Sequence, residues 1–200
     1  MQETELEESV VMDESEIDRT LVRMAHQILE QTDECQDLAL VGIVTRGDIL
    51  AHRLAKLIEE IEGTQLPVGS LDISFYRDDS ILNIAPVVQG TDILFSLDGK
   101  TIVLVDDVLY TGRTIRAALD ALMDFGRPSR IQLATLVDRG HRELPIRADF
   151  VGKNVPSASN ESVRLFLKEV DDESCVRITR MAPGQHVGSA PLKGEVDVRS

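Results

Sequence analysis

The sequence predicts an α/β fold with a central, mainly parallel sheet flanked by helices. Three observations predict it. A continuous apolar run at 38–44 and largely apolar, β-forming stretches at 101–105 and 131–137 have the composition of strands buried on both faces. Segments of helical periodicity alternate with these runs, as in βαβ units. Gly63 and Gly126 each close a helical segment before the next strand begins. The right-handed crossover rule then puts helices on both faces of the sheet. The loops that follow strands 38–44 and 101–105 fall on one carboxyl edge.

Taken in order, residues 1–12 are acid-rich and aperiodic and are expected to form a disordered arm. Asp13 can cap a helix, with Glu16 as the reciprocal partner. Ile17, Leu21, Ala25, Ile28 and Leu29 then recur at helical spacing and predict a helix over 14–31. After the first strand, Ile49, Leu50, Leu54, Leu57, Ile58 and Ile61 predict a helix over 48–61. Leu71, Ile73 and Phe75 alternate with Asp72 and Ser74, the pattern of a half-buried strand. Residues 77–92 lack periodicity and carry Asn, Pro and Gly, which predicts a long loop of the kind that acts as a lid. A short strand at 93–95 and a turn at Asp98 and Gly99 lead to the strand at 101–105, which is expected to stop at Asp106. Ile115, Ala118, Leu119 and Leu122 predict a helix over 113–125. Residues 138–148 read as a polar loop, and 163–167 and 176–178 as closing strands. Residues 181–200 are expected to form a flexible tail, leaving one domain over 13–180.

Two hundred residues suffice for one domain with a sizeable core, and with no Trp and 4% aromatics that core must be aliphatic. The net charge of -14 argues against non-specific nucleic-acid binding by the whole surface. Half of that charge sits in residues 1–16, which hold seven acids and no base, so a local basic face is compatible with the remainder. Cys35 and Cys175 form no C-x-x-C pair and are expected to be reduced thiols. No apolar run approaches the ~18 residues of a membrane span, and the acidic N-terminus is no signal peptide. A cytoplasmic protein without a membrane partner is expected.

The chemistry concentrates at two strand ends. Asp106 and Asp107 can accept hydrogen bonds from neighbouring hydroxyls or hold Mg²⁺ through water; alternatively they cap the next turn. Four residues past Asp107, Thr111, Gly112, Arg113 and Thr114 open a helix. Gly112 permits close backbone approach, and the hydroxyls and N–H groups can surround a phosphate. After the first strand, Thr45, Arg46, Gly47 and Asp48 form a second polar turn at a helix start, where Arg46 can bind another anionic group. Two anion sites on one sheet edge suit a ligand with hydroxyls and more than one phosphate.

These residues carry a resemblance. The string VDDVLYTGRT resembles the signature of type I phosphoribosyltransferases. The resemblance implies that fold, with a small hood region, and a site for 5-phosphoribosyl-1-pyrophosphate (PRPP). It assigns the ribose hydroxyls to Asp106 and Asp107, the 5-phosphate to Thr111, Gly112, Arg113 and Thr114, and the pyrophosphate to Thr45, Arg46 and Gly47, with Val108, Leu109 and Tyr110 also counted in the PRPP or nucleotide site. Mg²⁺ would be held by Asp106 and Asp107 indirectly, via ribose or water. Further strings, VGIVTRGD, SFYRDD and RIQLATLVDRGHRELPIRADFVGKN, resemble the PyrR family over about residues 13–178. That family pairs uracil phosphoribosyltransferase activity (uracil and PRPP to UMP and pyrophosphate) with UMP-responsive control of pyrimidine operons through leader RNA. Tyr110 stands where relatives acting on 6-oxopurines carry an aspartate, which favours a pyrimidine; the alternative is that its ring simply packs beside the loop. Arg77 is a catalytic candidate, reaching the pyrophosphate on loop closure, or else a surface arginine paired with Asp78 or Asp79. Phe150 and Val151 are candidates for the base pocket, or else strand residues of the core.

For RNA, Arg19, Arg23 and His26 share one face of the first helix, and Arg139, Arg142, Arg147 and Lys153 form a second basic group. Val22 departs from the threonine that RNA-binding relatives tend to carry at that place. A homo-oligomer, a dimer or higher, is implied by the family. The alternatives are a regulator with vestigial catalysis and a transferase for another base.

Overall fold

The computed structural model describes residues 8–32, 35–74, 76 and 90–180. A parallel five-stranded sheet runs in the order β3-β2-β4-β5-β6: β3 (Val68–Leu71), β2 (Leu38–Ile43), β4 (Thr101–Leu109), β5 (Arg130–Asp138) and β6 (Phe150–Asn154). Helices α1 (Glu14–Glu30) and α2 (Arg46–Glu62) cover one face, where Ile17, Leu21, Leu50 and Leu54 pack with Leu40, Val103 and Phe150. Helix α3 (Arg113–Phe125) covers the other, packing Ile115, Ala118 and Leu122 against Val41, Ile102 and Leu104. Neighbouring strand residues therefore serve opposite cores, which is why the strands read as unbroken apolar runs.

A smaller antiparallel sheet, in the order β1-β8-β7, forms a hood: β1 (Glu8–Met12), β8 (Cys175–Arg180) and β7 (Glu161–Phe166). A single-turn helix, α4 (Lys168–Asp171), joins β7 to β8. Val163, Leu165, Val176 and Met12 seat the hood on the α1–α2 core.

The α1 cap forms as expected, with Asp13 accepting from the Glu16 N–H at 2.8 Å and Glu16 accepting from the Asp13 N–H at 3.2 Å. Gly63 ends α2 at φ +70°. Cys35 and Cys175 are free thiols. No helix among the described residues is long and apolar enough to cross a membrane.

Four expectations need correction. Glu8–Met12, expected in the disordered arm, is a strand: Glu8 pairs with Thr179 and Val10 with Arg177, so the edge of β8 supplies the order that local sequence does not. Residues 1–7 and 181–200 lie outside the described residues. Strand β4 does not stop at the two aspartates but runs through them to Leu109, because β5 continues alongside: Asp106 pairs with Thr135 and Leu109 with Asp138. The strand expected over 71–75 instead ends at Leu71, where the Asp72 carboxylate takes the N–H and hydroxyl of Ser74 at 2.8 and 2.6 Å and turns the chain. The strand expected at 93–95 is reduced to one antiparallel bridge between Asp92 and Ser70. The greater part of the loop expected at 77–92 lies outside the described residues.

Candidate functional site

The site is built by close backbone approach. A Cβ on Gly42 of β2 would fall 2.2 Å from the Asp48 Cα, and one on Gly47 would fall 2.4 Å from the Val105 carbonyl oxygen. Only glycine at both positions lets the start of α2 press onto β2 and β4. Helix α2 therefore begins at Arg46, two residues earlier than periodicity predicts, and carries Thr45 and Arg46 beside Asp106. The Val44–Thr45 peptide is cis.

Asp106 and Asp107 end up on the floor of a cleft of about 260 Å³, walled by Thr45, Arg46, Ser74 and Thr114. Asp106 is buried, while Asp107 is half-buried and accepts the Val108 N–H at 2.7 Å. Burial pushes the Asp107 carboxyl above its ordinary value; the Val108 N–H and the charge of Arg46 pull the other way. Thr45 and Arg46 of one polar turn and Thr114 of the other thus line one cleft with the acidic pair.

Arg46 has a partner that sequence reasoning missed. Arg46 donates from Nη2 and Nε to the Asp171 carboxylate of α4 at 2.6 and 3.1 Å. Burial alone would raise the Asp171 carboxyl, but the Arg46 hydrogen bond and the Leu167 N–H outweigh it and hold the group below its ordinary value. The pair ties the hood to the cleft rim. No local motif marks Asp171, which lies 125 residues from Arg46.

On the other side, Gly112 takes φ +93° and starts α3. A loop spanning 139–146 lies directly behind this turn. The Thr111 carbonyl accepts the N–H groups of Glu143 and Leu144 at 3.0 and 3.1 Å, and Arg113 pairs with Glu143 at 2.7 Å. Tyr110 packs beneath Arg139, whose guanidinium lies 4.1 Å from the ring centroid, with His141 edge-on at 6.1 Å. Its ring packs beside the loop, the alternative left open above.

Several candidates change role. The Phe150 side chain is 1% exposed within the α1–α2 core and offers no face for stacking on a base. Val151, the next residue, packs on the opposite, α3-side cluster. Arg139, assigned to RNA by charge, is 3% exposed and donates to Ser157 Oγ and to the carbonyls of Ala158 and Glu161 at 3.0, 3.2 and 2.7 Å. Burial lowers its pKa from the ordinary value. Arg142 is engaged by Asp138 and by backbone carbonyls of its own loop and of β4. Neither guanidinium is presented to solvent as a free cation for RNA. Arg147 is exposed. Arg77 lies outside the described residues.

Arg19, Arg23 and Lys153, drawn from the two expected basic groups, do come together. They line one shallow groove with Thr20, Glu16 and Gly152, and His26 is exposed on the same helix. The groove exists because a Cβ at Gly152 would meet the Leu136 carbonyl at 2.3 Å and Thr20 at 2.8 Å, so α1 rests directly on β6. Arg23 donates to the carbonyls of Val151 and Gly152, and Lys153 to the Val11 carbonyl at 2.7 Å.

Among the described residues no group of three or more His, Cys, Asp or Glu forms a metal cage. Adjacent carboxylates lining a cleft fit a hard cation that keeps its waters and binds chiefly through substrate phosphates, the usual manner of Mg²⁺.

Comparison with known proteins identifies the family. The family model described as "Phosphoribosyl transferase domain" matches residues 13–166. A "Bifunctional protein PyrR" from Roseiflexus sp. is 61% identical over 165 residues, covering 82% of this chain and 90% of that protein. The protein of that name from Clostridioides difficile is 54% identical over 174 residues, covering 86% and 98%. In fold, the chain resembles a hypoxanthine phosphoribosyltransferase from Staphylococcus aureus, with a TM-score of 0.64 at 23% identity over 92% of this chain and 98% of that one. Matched across most of its length by the family model, and over more than four-fifths of its length by relatives above one-half identity, this chain belongs to the phosphoribosyltransferases and, within them, to the PyrR family.

Proposed function

We propose that this protein transfers the phosphoribosyl group of PRPP to uracil, giving UMP and pyrophosphate, and that it binds pyrimidine-operon leader RNA in response to UMP. The observation that carries the reading is one cleft lined together by Asp106 and Asp107, by Thr45 and Arg46 of the 45–48 turn and by Thr114 of the 111–114 turn.

In this reading the ribose hydroxyls hydrogen-bond to Asp106 and Asp107, the 5-phosphate sits on the start of α3, and the pyrophosphate lies against Thr45, Arg46 and Gly47. The bond between C1 of the ribose and pyrophosphate breaks as N1 of uracil bonds to C1 and releases its proton. Catalysis is by positioning and electrostatics: the acids orient the ribose and face the cationic transition state, and Arg46 exchanges Asp171 for the departing pyrophosphate. Asp106 and Asp107 would hold Mg²⁺ through ribose or water, and the cation would supply charge neutralisation for the pyrophosphate. Arg77, which lies outside the described residues, is the further candidate for contact with the pyrophosphate. The edge of β6 at Val151 meets the base through its backbone. The protein acts in the cytoplasm as a dimer or larger homo-oligomer.

The groove of Arg19, Arg23 and Lys153, with His26 and Arg147, is the RNA surface. Phosphate contacts give affinity and guanidinium planes stack on loop bases.

The test is UMP formation from uracil and PRPP, with a panel of other bases alongside. Uracil turnover that is lost in an Asp106→Asn, Asp107→Asn double variant supports the reading. An unaltered PRPP affinity in that variant would sink it. For regulation, leader RNA is titrated with and without UMP, and equal affinities in the two arms argue against the switch.

A further inference from the structure

Arg142 is the residue whose position charge alone explains least. Its Nη1 donates to the carbonyls of Tyr110, Gly140 and Leu109 at 2.7, 3.1 and 3.4 Å, its Nε to the carbonyl of Ile146 at 2.9 Å, and its Nη2 pairs with Asp138. One guanidinium thus holds the last two residues before the 111–114 turn and both ends of the loop behind it. We propose that Arg142 is a positioning residue for the 5-phosphate of PRPP, acting through the turn and not by touching the ligand. The proposal rests on the reading of that turn as the phosphate site.

The argument is one of peptide geometry. In a trans peptide the C=O of one residue and the N–H of the next point in opposite directions in one plane. Fixing the Tyr110 carbonyl on Arg142 therefore aims the Thr111 N–H away from the loop. The Thr111 carbonyl is fixed in turn by the N–H groups of Glu143 and Leu144, which aims the Gly112 N–H. Two successive amides held from behind by one loop make a donor pair ready for an anion, at the start of a 13-residue helix. The contact is tight: a Cβ on Gly112 would lie 3.3 Å from Ile146. Asp138 neutralises the guanidinium at close range, so Arg142 works by its planar fork of donors and not by its charge.

Lysine keeps the charge and loses the fork, so Arg142→Lys is the primary variant and Arg142→Gln the second. PRPP and pyrophosphate affinities are measured by calorimetry, without uracil or RNA. The expected result is that both variants weaken PRPP about tenfold while pyrophosphate, held at 45–48, changes less than twofold. A Lys variant that binds PRPP like the wild type overturns the proposal, as does an equal loss for both ligands, the sign of general unfolding. Should neither variant fold, NMR on the wild type decides: ribose 5-phosphate, but not ribose, shifts the amides of Thr111 and Gly112 together with the Arg142 Nε–H. An unmoved Arg142 signal overturns it. A wild type that binds neither PRPP nor pyrophosphate fails the reading of the cleft; wild-type binding with unaltered variants fails only the assignment of Arg142.

Discussion

The arginines of the α1 groove and those of the 139–146 loop are the same residue type at similar density, yet they do opposite things. Arg19 is exposed, with Ser15 Oγ as its neighbour at 2.6 Å, and offers its charge outward. Arg139 and Arg142 turn inward and satisfy six carbonyl oxygens between them, those of residues 109, 110, 140, 146, 158 and 161. A basic run is a nucleic-acid surface only where the backbone leaves its donors unclaimed. A loop rich in exposed-end carbonyls claims them, because a planar guanidinium with five N–H groups is the side chain best able to satisfy several carbonyls at once.

A graded set of substitutions tests this contrast. The largest effect is expected for Arg139→Ala, which removes a buried guanidinium and leaves the Ala158 and Glu161 carbonyls and the Tyr110 ring without their cation; denaturant unfolding should show a loss of about 3 kcal/mol. A loss below about 1 kcal/mol would erase the distinction between the two groups. Next comes Asp171→Asn, which breaks the partly buried pair with Arg46 at a cost of about 1–2 kcal/mol near neutral pH. The sign with pH follows from the lowered carboxyl. Its contribution is fully present above the unfolded value near ~4 and is lost as pH falls through the lower folded value, so the variant should show a flatter acid limb in melts between about pH 5 and 2. Arg23→Ala is intermediate in kind, since its guanidinium reaches the Val151 and Gly152 carbonyls while remaining exposed; about 1 kcal/mol of stability is expected to go along with RNA affinity. Arg19→Ala should change stability by less than about 0.5 kcal/mol and lower the salt slope of RNA binding by about one. A stability cost for Arg19 equal to that for Arg139 would sink the comparison.

What the sequence revealed and what it hid divide along the same line. Strands β2 and β4, the two anion turns and the pairing of Asp106 with Asp107 were legible because each is encoded within about ten residues: an apolar run, then glycine and hydroxyl residues at a helix start. The continuation of β4 to Leu109 was not, since polar residues join a strand only when a neighbour extends with them, as β5 does. Asp171 was invisible because its role depends on the hood folding back over Arg46. Arg139 was misread because hydropathy assigns arginine to the surface, and only the 157–161 turn shows where its donors go. Phe150 was misread in the reverse sense: the strand alternation that places Val151 towards α3 sends Phe150 into the core beside α1.

The pairing of β1 with β8 bears on how the chain is made. Glu8 and Thr179 are register partners 171 residues apart, so β1 leaves the ribosome long before its partner exists. The five-stranded sheet is complete once β6 has emerged, and α1 can settle on it at once. The hood cannot close until residues 175–180 are free, and with it waits the contact between Asp171 and Arg46. During synthesis the protein should therefore acquire the 111–114 side of its cleft first and the Arg46–Asp171 clasp last.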